Sequence, residues 1–363
     1  MSSDRSGSEG LRFGLIGCGD IGRLRAAAIA ATATHRLTAV SDVDSKRSAQ
    51  LGAKYGAVND RDWRTLLQRD DVDAIVVSTP PALHEEMCIA AMEAGKHVLC
   101  EKPLARSPAE CRSMVAAAER TGRVLATGFN YRFYPSFLLA RELLGQGTIG
   151  ELSHVRSYGG YSATSHNQPW VHDAEVVGGG ALHDIGIHLI DLTRSFLGEV
   201  AEVTGFATAE IWNYPGCEDN GFVLMRSPQG RVATLHASWT EWGRYQFLIE
   251  LVGATGRIRA SCFPMRLEVL EAGETGGKVR RRAFRFPKTF AGEHVRSYRW
   301  VVVRSFITEF DAFARRVRGE PSSIATGEDG MRAIEIACAV SRPDTTQAGS
   351  GVAAPIPLPG GRP

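Results

Sequence analysis

The sequence predicts an α/β protein with a doubly wound parallel sheet first and a mixed or antiparallel sheet, covered by helices on one face, after it. Between residues 11 and 127, short apolar runs alternate with helical patterns, as expected for parallel strands joined by helices. Beyond residue 128 that alternation stops, and strand-like segments follow from about residue 200 to residue 286. We therefore expect one domain over residues 11–127, a second over 128–363, and a disordered tail over 1–10.

The strands expected in the first domain are apolar along their whole length, which is typical of strands buried on both faces. They are LRFGLIG, RLTAV, DAIVVSTP, KHVLCE and RVLATG. The helices expected between them include IGRLRAAAIAA, DSKRSAQLGAKYG and HEEMCIAAMEAG. In the second domain, VLMRSPQGRVATLHASW indicates a β-hairpin. The C-terminus, which is rich in proline and glycine, can add one edge strand at most.

Composition argues against several classes of function. The chain has 363 residues, of which 42 are basic and 40 acidic, so its formal net charge of +2 gives no overall attraction to nucleic acid or to a membrane surface. No uncharged apolar stretch approaches the roughly 20 residues that span a bilayer. The seven cysteines are scattered and form no CxxC pair, which favours reduced thiols in a cytoplasmic protein. Neither cysteines nor histidines show the spacing of a metal site, so no metal is expected.

The segment GLIGCGDIG, residues 14–22, contains the pattern GxGxxG directly after a predicted strand and before an alanine-rich helix. In that context Gly17 would make the tight turn, Gly19 would let the backbone approach a pyrophosphate, and Gly22 would let the helix pack closely. The segment therefore predicts a dinucleotide-binding loop. A plain glycine turn is the alternative.

Asp42 ends the next predicted strand, about 20 residues after Gly22. A carboxylate at that position can accept hydrogen bonds from an adenosine ribose, and its charge repels a 2′-phosphate. NAD is therefore the expected cofactor. Lys46 and Arg47 lie nearby in the sequence and could accommodate a phosphate, so NADP stays open.

Two further segments carry candidate catalytic residues. Lys102 follows the predicted strand HVLC, so it lies at the carboxyl end of a sheet strand, where α/β proteins bind ligands. In GGGALHDIGIHLIDL, helical spacing places Asp184, His188 and Asp191 on one helix face. A carboxylate beside the imidazole would raise the pKa of His188 and fix its tautomer, which predicts an acid/base pair. A hydrogen-bonded core histidine is the alternative.

Together these motifs resemble those of the glucose-fructose oxidoreductase and inositol dehydrogenase family, often called Gfo/Idh/MocA. The landmarks occur in the family's order as GLIGCGDIG, AVSDVD, STPPALHEE, AGKHVLCEKPLA, GFNYRFYP, GGGALHDIGIHLIDL and GEDGMRAIEIA. They cover most of residues 11–205 and 305–340. The resemblance implies an N-terminal Rossmann domain and a C-terminal α+β domain with an open, largely antiparallel sheet. It also implies a homodimer or homotetramer formed through that sheet.

The resemblance assigns roles to individual residues. It implies that Lys102 contacts the reacting hydroxyl, that His188 is the general base, and that Asp184 holds the imidazole or a second hydroxyl. The residues expected at the cofactor are Gly17, Gly19, Asp20, Ile21, Gly22, Asp42, Ser78, Thr79, Pro80, His84, Glu101, Lys102 and Asn130. The residues expected at the substrate are Lys102, Arg156, Tyr158, Trp170, Asp184 and His188.

The activity implied is hydride transfer between a nicotinamide and a ring carbon of a cyclic polyol, sugar or sugar nucleotide. As the C–H bond breaks, a histidine base would take the hydroxyl proton and a lysine cation would stabilise the alkoxide. Reduction of a 3-keto sugar in deoxy- or aminosugar biosynthesis is an alternative. A nicotinamide-binding regulator without turnover is another, and the presence of Lys102 and His188 argues against it.

Overall fold

The structure is a computed structural model that describes residues 10–165, 168–273, 278–287, 298–341 and 356–357. The predicted tail lies outside the described residues except for Gly10. The described residues form one parallel and one largely antiparallel sheet with helices packed against them, which confirms the predicted fold class. Among the described residues, no helix is both long enough and apolar enough to span a membrane.

The first sheet has six parallel strands in the order β3-β2-β1-β4-β5-β6. The strands are β1 Arg12–Ile16, β2 Arg36–Ser41, β3 Val58–Asn59, β4 Ala74–Val77, β5 His97–Glu101 and β6 Leu125–Gly128. The strand order reverses between β1 and β4. The loops leaving the carboxyl ends of these two strands therefore diverge to opposite faces of the sheet and open a crevice, the usual ligand site of such sheets.

Five helices connect these strands. They are α1 Asp20–Ala31, α2 Ser45–Tyr55, α3 Trp63–Leu67, α4 His84–Glu93 and α5 Pro108–Thr121. The side chains of Asp44, Asp62 and Ser107 accept hydrogen bonds from the first backbone N–H groups of α2, α3 and α5. Such caps satisfy donors that a helix N-terminus otherwise leaves unpaired, so they determine where each helix begins.

The second sheet has nine strands among the described residues, in the order β14-β13-β12-β11-β7-β10-β9-β8-β15. Neighbouring strands are antiparallel except for the parallel pair of β7 and β10. They are β7 Leu152–Gly160, β8 Glu202–Thr208, β9 Asn220–Arg226, β10 Val232–Ser238, β11 Gln246–Gly253, β12 Gly256–Ser261, β13 Arg266–Glu271, β14 Arg280–Arg285 and β15 Ile356–Pro357. Both the β9–β10 hairpin and the C-terminal edge strand are confirmed.

Among the described residues, five more helices follow the first sheet along the chain. They are α6 Pro135–Gly145, α7 Ala174–Val177, α8 Ile187–Leu197, α9 Tyr298–Val317 and α10 Gly327–Ser341. A π-helical turn, Leu182–Gly186, leads directly into α8. Helices α6, α8 and α10 contact strands of the second sheet. Residues 178–197 thus lie between the second sheet and the crevice of the first.

Helix α9 packs against α1, on the first sheet, although it follows the second sheet in the chain. Phe306, Phe310 and Phe313 are buried there, and the ring centroids of Phe13 and Phe310 lie 5.0 Å apart. Burying these rings joins the two parts of the chain through apolar contact. The domain boundary near residue 128 stays a prediction, because segments from both sides of it share this core.

Candidate active site

The glycine loop leaves the carboxyl end of β1 in a conformation that fits a dinucleotide. Gly17 has φ of +94°, and a Cβ on it would lie 2.5 Å from the carbonyl oxygen of Ser78. A Cβ on Gly22 would lie 2.0 Å from the carbonyl oxygen of Gly17. A Cβ on Gly19, in contrast, would meet nothing within 4 Å. The first and last glycines are therefore needed by the fold itself, whereas the middle one borders open space beside the N-terminus of α1.

This difference predicts that Gly19→Ala folds normally but binds dinucleotide poorly. The unfolding free energy is expected to change by less than about 1 kcal/mol, because no neighbour is displaced. The affinity for NADH is expected to fall by about tenfold or more, because the methyl group occupies the space for the pyrophosphate. Denaturant unfolding and fluorescence titration with NADH measure the two quantities. Gly22→Ala is the matched control and should lose stability instead, since its methyl group meets the Gly17 carbonyl.

The side chain of Asp42 lies at the carboxyl end of β2, next to the glycine loop. Its Oδ2 accepts a hydrogen bond from the backbone N–H of Cys18 at 2.6 Å, and its Oδ1 accepts one from Asp44 at 2.8 Å. These contacts fix the carboxylate beside the loop. Burial and then the nearby Asp42 raise the pKa of the Cys18 thiol to about 12, so that cysteine is a neutral packing residue.

The two residues that open α1 lie at the mouth of the loop. Asp20 accepts a hydrogen bond from the side-chain amide of Gln168 at 3.4 Å, and Ile21 is 43% exposed. Gln168 immediately precedes the turn Pro169–His172, which carries Trp170. Trp170 is 37% exposed, and its contact with substrate stays a prediction.

The loop after β4 is tied to the loop after β5 by a buried histidine. The two ring nitrogens of His84 contact backbone carbonyls, Nε2 that of Thr79 at 2.8 Å and Nδ1 that of Pro103 at 3.1 Å. His84 is fully buried, so it does not line the cleft, contrary to the prediction. It affects the cleft by positioning these two loops. Ser78, Thr79 and Pro80 remain partly exposed at the crevice.

Lys102 and Asp184 form an ion pair across the cleft. The Lys102 Nζ donates to Asp184 Oδ1 at 3.0 Å and to the Asp184 backbone carbonyl at 3.2 Å, and the Lys102–Pro103 peptide bond is cis. The other carboxylate oxygen, Oδ2, accepts a hydrogen bond from the indole N–H of the fully buried Trp239 at 3.1 Å. Each Asp184 oxygen therefore has a donor, and the lysine ammonium is held in place with its charge partly open to the cleft.

His188 is buried among aromatic rings. It is stacked on Tyr131, with ring centroids 4.1 Å apart, and it meets the Phe129 ring edge-on, with ring centroids 5.9 Å apart. The Tyr131 hydroxyl is hydrogen-bonded to that of Tyr245 at 2.5 Å. Burial, and then the charge of Lys102, lower the pKa of His188 well below its ordinary value. The imidazole is therefore neutral at neutral pH and can accept a proton.

The predicted pairing of His188 with two carboxylates is wrong. Asp184 is engaged by Lys102 and Trp239, whereas Asp191 accepts two hydrogen bonds from Arg132 at 2.8 and 2.5 Å. The π-helical turn before α8 breaks the regular helical spacing between Asp184 and His188. Asp191 keeps its spacing from His188 within α8 but is bound by Arg132 instead. Consequently no carboxylate raises the pKa of the imidazole, and burial lowers it instead.

Two residues expected at the cofactor, Glu101 and Asn130, have side chains that are hydrogen-bonded to other residues of the protein. Glu101 accepts a hydrogen bond from Arg25 Nε at 2.5 Å, and the buried Arg25 also pairs with Glu309 of α9. Burial raises the pKa of Glu309 to about 7. Asn130 is buried and donates to the Ser305 hydroxyl at 2.9 Å, also on α9. Both side chains therefore attach α9 to the loops beneath the cleft.

Arg156 and Tyr158 do not face the candidate site, which corrects the prediction that they bind substrate. Alternate residues of β7 point to opposite faces of the sheet. Ser157 faces α8, since its hydroxyl accepts a hydrogen bond from Thr193 at 3.0 Å. Arg156 and Tyr158 therefore lie on the other face, where Tyr158 donates to Glu241 at 2.6 Å.

Three aromatic residues that the sequence motifs did not single out pack against one another beside Asp184: His172, Tyr214 and Trp239. His172 is stacked on Tyr214 at 4.2 Å and meets the Trp239 ring edge-on at 5.5 Å. The Trp239 indole also lies 3.3 Å from the Tyr161 hydroxyl. No local pattern marks Trp239, because it reaches Asp184 only through the pairing of distant strands. Tyr131 lies within the segment GFNYRFYP, which was identified as a landmark, but no role was assigned to this tyrosine.

Comparison with known proteins identifies the family. The family "Oxidoreductase family, NAD-binding Rossmann fold" matches residues 11–129, and the "GFO/IDH/MocA C-terminal domain" matches residues 137–259. The chain therefore belongs to the GFO/IDH/MocA family of oxidoreductases, as the sequence motifs predicted.

Individual relatives agree with this assignment. The chain is 30% identical to myo-inositol 2-dehydrogenase of Thermotoga maritima over 92% of its own length and 96% of the relative's. It is 32% identical to dTDP-3,4-didehydro-2,6-dideoxy-alpha-D-glucose 3-reductase of Streptomyces antibioticus, over 69% of its own length and 76% of the relative's. Among solved structures, levoglucosan dehydrogenase in complex with NADH and levoglucosan matches with a TM-score of 0.81 and 26% identity, covering 92% of this chain and 96% of that one.

Proposed function

We propose that this protein is an NAD-linked dehydrogenase that acts on a secondary alcohol of a cyclic polyol or sugar ring, with Lys102, Asp184 and His188 at its reaction centre. The observation that carries the proposal is the Lys102–Asp184 ion pair at the carboxyl end of β5, close to a neutral, buried His188. Family membership and the inositol and levoglucosan dehydrogenases among its relatives support the choice of substrate class.

The residues divide the work as follows. His188 takes the proton from the substrate hydroxyl, because its imidazole is neutral at working pH. Lys102 donates to the same oxygen and stabilises the developing alkoxide charge. Asp184 holds the lysine in position, and Trp239 holds Asp184. A bound nicotinamide supplies the hydride acceptor, and the glycine loop with Asp42 would hold the dinucleotide.

We infer a preference for NAD over NADP from the position of Asp42. Asp42→Ser is expected to raise the ratio of NADP to NAD use, measured as kcat/KM, by about tenfold or more, because a charge that repels the 2′-phosphate is removed. The control variant Asp70→Ser removes an exposed carboxylate outside the site and should leave the ratio unchanged. If Asp42→Ser also left the ratio unchanged, the carboxylate would not determine cofactor choice.

The substrate class is tested with a panel. Purified protein is assayed for reduced-nicotinamide formation with inositols, levoglucosan, hexoses, sugar phosphates and sugar nucleotides, and in the reverse direction with keto sugars. Turnover of one cyclic alcohol with a saturable rate supports the proposal. Turnover confined to keto-sugar nucleotides would favour the reductase alternative, which uses the same residues in reverse. Tight dinucleotide binding without turnover on any compound would favour a regulator.

We propose that the protein assembles into a homodimer or homotetramer through the face of the second sheet that lies opposite α8. Phe206 is 71%, Phe222 45% and Leu224 52% exposed on that face. Such a cluster of exposed apolar side chains is typical of a subunit interface.

We also place the protein in the cytoplasm, since all seven cysteines are free thiols.

Leu224→Glu is accordingly expected to reduce the molecular mass in solution to that of a smaller assembly. A carboxylate in an apolar interface would be buried without a partner, which outweighs the gain from association. Light scattering coupled to size-exclusion chromatography measures the mass. The matched control is Leu138→Glu on α6, also partly exposed, which should keep the wild-type mass. Equal masses for both variants and the wild type would contradict this interface.

A further inference from the structure

A pocket of about 300 Å3 lies outside the candidate active site, among α6, α8 and the loop before α10. Three arginines line it, Arg132, Arg141 and Arg194, together with Ser195 and the carboxylates of Glu199 and Asp329. No step of the proposed reaction uses this pocket.

Two of the three arginines are neutralised by carboxylates. Arg132 is paired with the buried Asp191 at 2.5 Å and with Asp329 at 3.3 Å. Arg194 is paired with Glu199 at 3.0 Å and with Asp329 at 3.3 Å. These pairs involve both carboxylates that line the pocket, Glu199 and Asp329, and also the buried Asp191.

Arg141 has no carboxylate within ion-pair distance among the described residues. Within the part of the chain that the structure describes, its guanidinium donates to the backbone carbonyl of Ser195 at 3.1 Å and to the Ser195 hydroxyl at 2.8 Å. Burial, and then the neighbouring positive charge of Arg132, lower the pKa of Arg141. The charge of Asp191 offsets only part of this lowering. Arg141 is thus a partly buried cation without a contacting carboxylate, and its guanidinium can pair with an anion in the pocket.

Another arginine that lines the same pocket has an unsatisfied donor. The Nε of Arg194 is buried and has no hydrogen-bond partner among the described residues. Unsatisfied buried donors are rare in proteins, and an ordered water or an ion is one of their usual partners. Guanidinium groups match the geometry of an oxyanion that carries two or more oxygens, and the Ser195 hydroxyl adds a further polar contact.

We propose that this pocket binds a phosphoryl group, carried by inorganic phosphate or by a small phosphate monoester, with Arg141 as its principal partner. The pocket shares two elements with the reaction centre. Asp191 lies one turn beyond His188 on α8, and Arg132 directly follows Tyr131, the residue stacked on His188. A ligand there would therefore contact the layer that supports the general base. The proposal concerns binding and does not depend on the proposed reaction.

Isothermal titration with inorganic phosphate and with glycerol phosphate tests the proposal. The full-length protein is saturated with NADH, so that the glycine loop does not compete, and ionic strength is kept constant with chloride. Wild type should show one saturable site. Arg141→Gln should bind about tenfold or more weakly, because one charge-assisted contact is lost. Whichever probe binds more tightly identifies the carrier of the phosphoryl group.

Two further variants make the result decisive. Arg112→Gln removes an exposed arginine outside the pocket and should bind as tightly as wild type. Arg141→Lys keeps the positive charge but loses the planar pair of donors, so its affinity for phosphate should be intermediate. This variant also tests the proposal if Arg141→Gln folds poorly. Absence of saturable binding to wild type, or equal affinity in wild type and both Arg141 variants, would overturn the proposal.

Discussion

Replacing His188 with glutamine is expected to lower kcat for alcohol oxidation by about 10²- to 10⁴-fold, the range typical for loss of a general base. Glutamine is polar and of similar reach but cannot accept a proton at neutral pH. Steady-state kinetics with the best alcohol of the panel provides the measurement. His154→Gln, at the start of β7 and outside the site, is the control and should keep wild-type kinetics. A His188→Gln enzyme with a wild-type kcat would exclude His188 as the base.

The environment of His188 also sets the pH dependence of the reaction. Because burial lowers its pKa, the imidazole stays neutral down to a pH below the usual titration range of histidine. Oxidation should therefore be independent of pH around neutrality and fall only on acidification. Reduction of the corresponding ketone needs the protonated form, so its rate should rise as the pH falls. These opposite slopes should both disappear in His188→Gln.

Replacing Lys102 with methionine is expected to reduce kcat by about 10²- to 10³-fold, with little change in the affinity for dinucleotide. Methionine has a similar length and fills the same space but carries no charge. It can neither stabilise the alkoxide nor pair with Asp184, whose hydrogen bond from Trp239 does not involve Lys102. Single-turnover formation of reduced nicotinamide, together with a fluorescence titration of NADH, separates the loss of chemistry from a loss of binding.

Lys54→Met serves as the control for Lys102→Met, because Lys54 is an exposed lysine on α2. The control should be indistinguishable from wild type in both measurements. The account would be wrong if Lys102→Met kept the wild-type single-turnover rate. If NADH affinity fell in parallel with kcat, the role of Lys102 would lie in cofactor binding.

The sequence predicted those features that depend on local pattern. The apolar runs identified the parallel strands, because strands buried on both faces must be apolar throughout. The glycine loop could be identified because the local backbone conformation itself requires glycine, as the positive φ of Gly17 shows. Lys102 was placed correctly at the end of β5, since only the strand before it was needed.

The features that sequence analysis missed depend on contacts between distant segments. Trp239 contacts Asp184 although the two residues are 55 positions apart in the sequence. The environment of His188 was wrongly predicted because a π-helical turn interrupts the expected helix. Arg156 and Tyr158 were assigned to the wrong face, because a strand's alternation shows which residues share a face and leaves open which face meets the ligand.

The most direct test of the central claim is an isotope measurement. The best cyclic alcohol of the panel is labelled with deuterium on the carbon that bears the reacting hydroxyl, and the reduced nicotinamide is analysed by mass spectrometry. The account predicts that the deuterium appears in the reduced nicotinamide, that turnover is slowed by the label, and that Lys102→Met and His188→Gln transfer it far more slowly than wild type. Reduced nicotinamide without deuterium, or transfer at the wild-type rate in both variants, would contradict it.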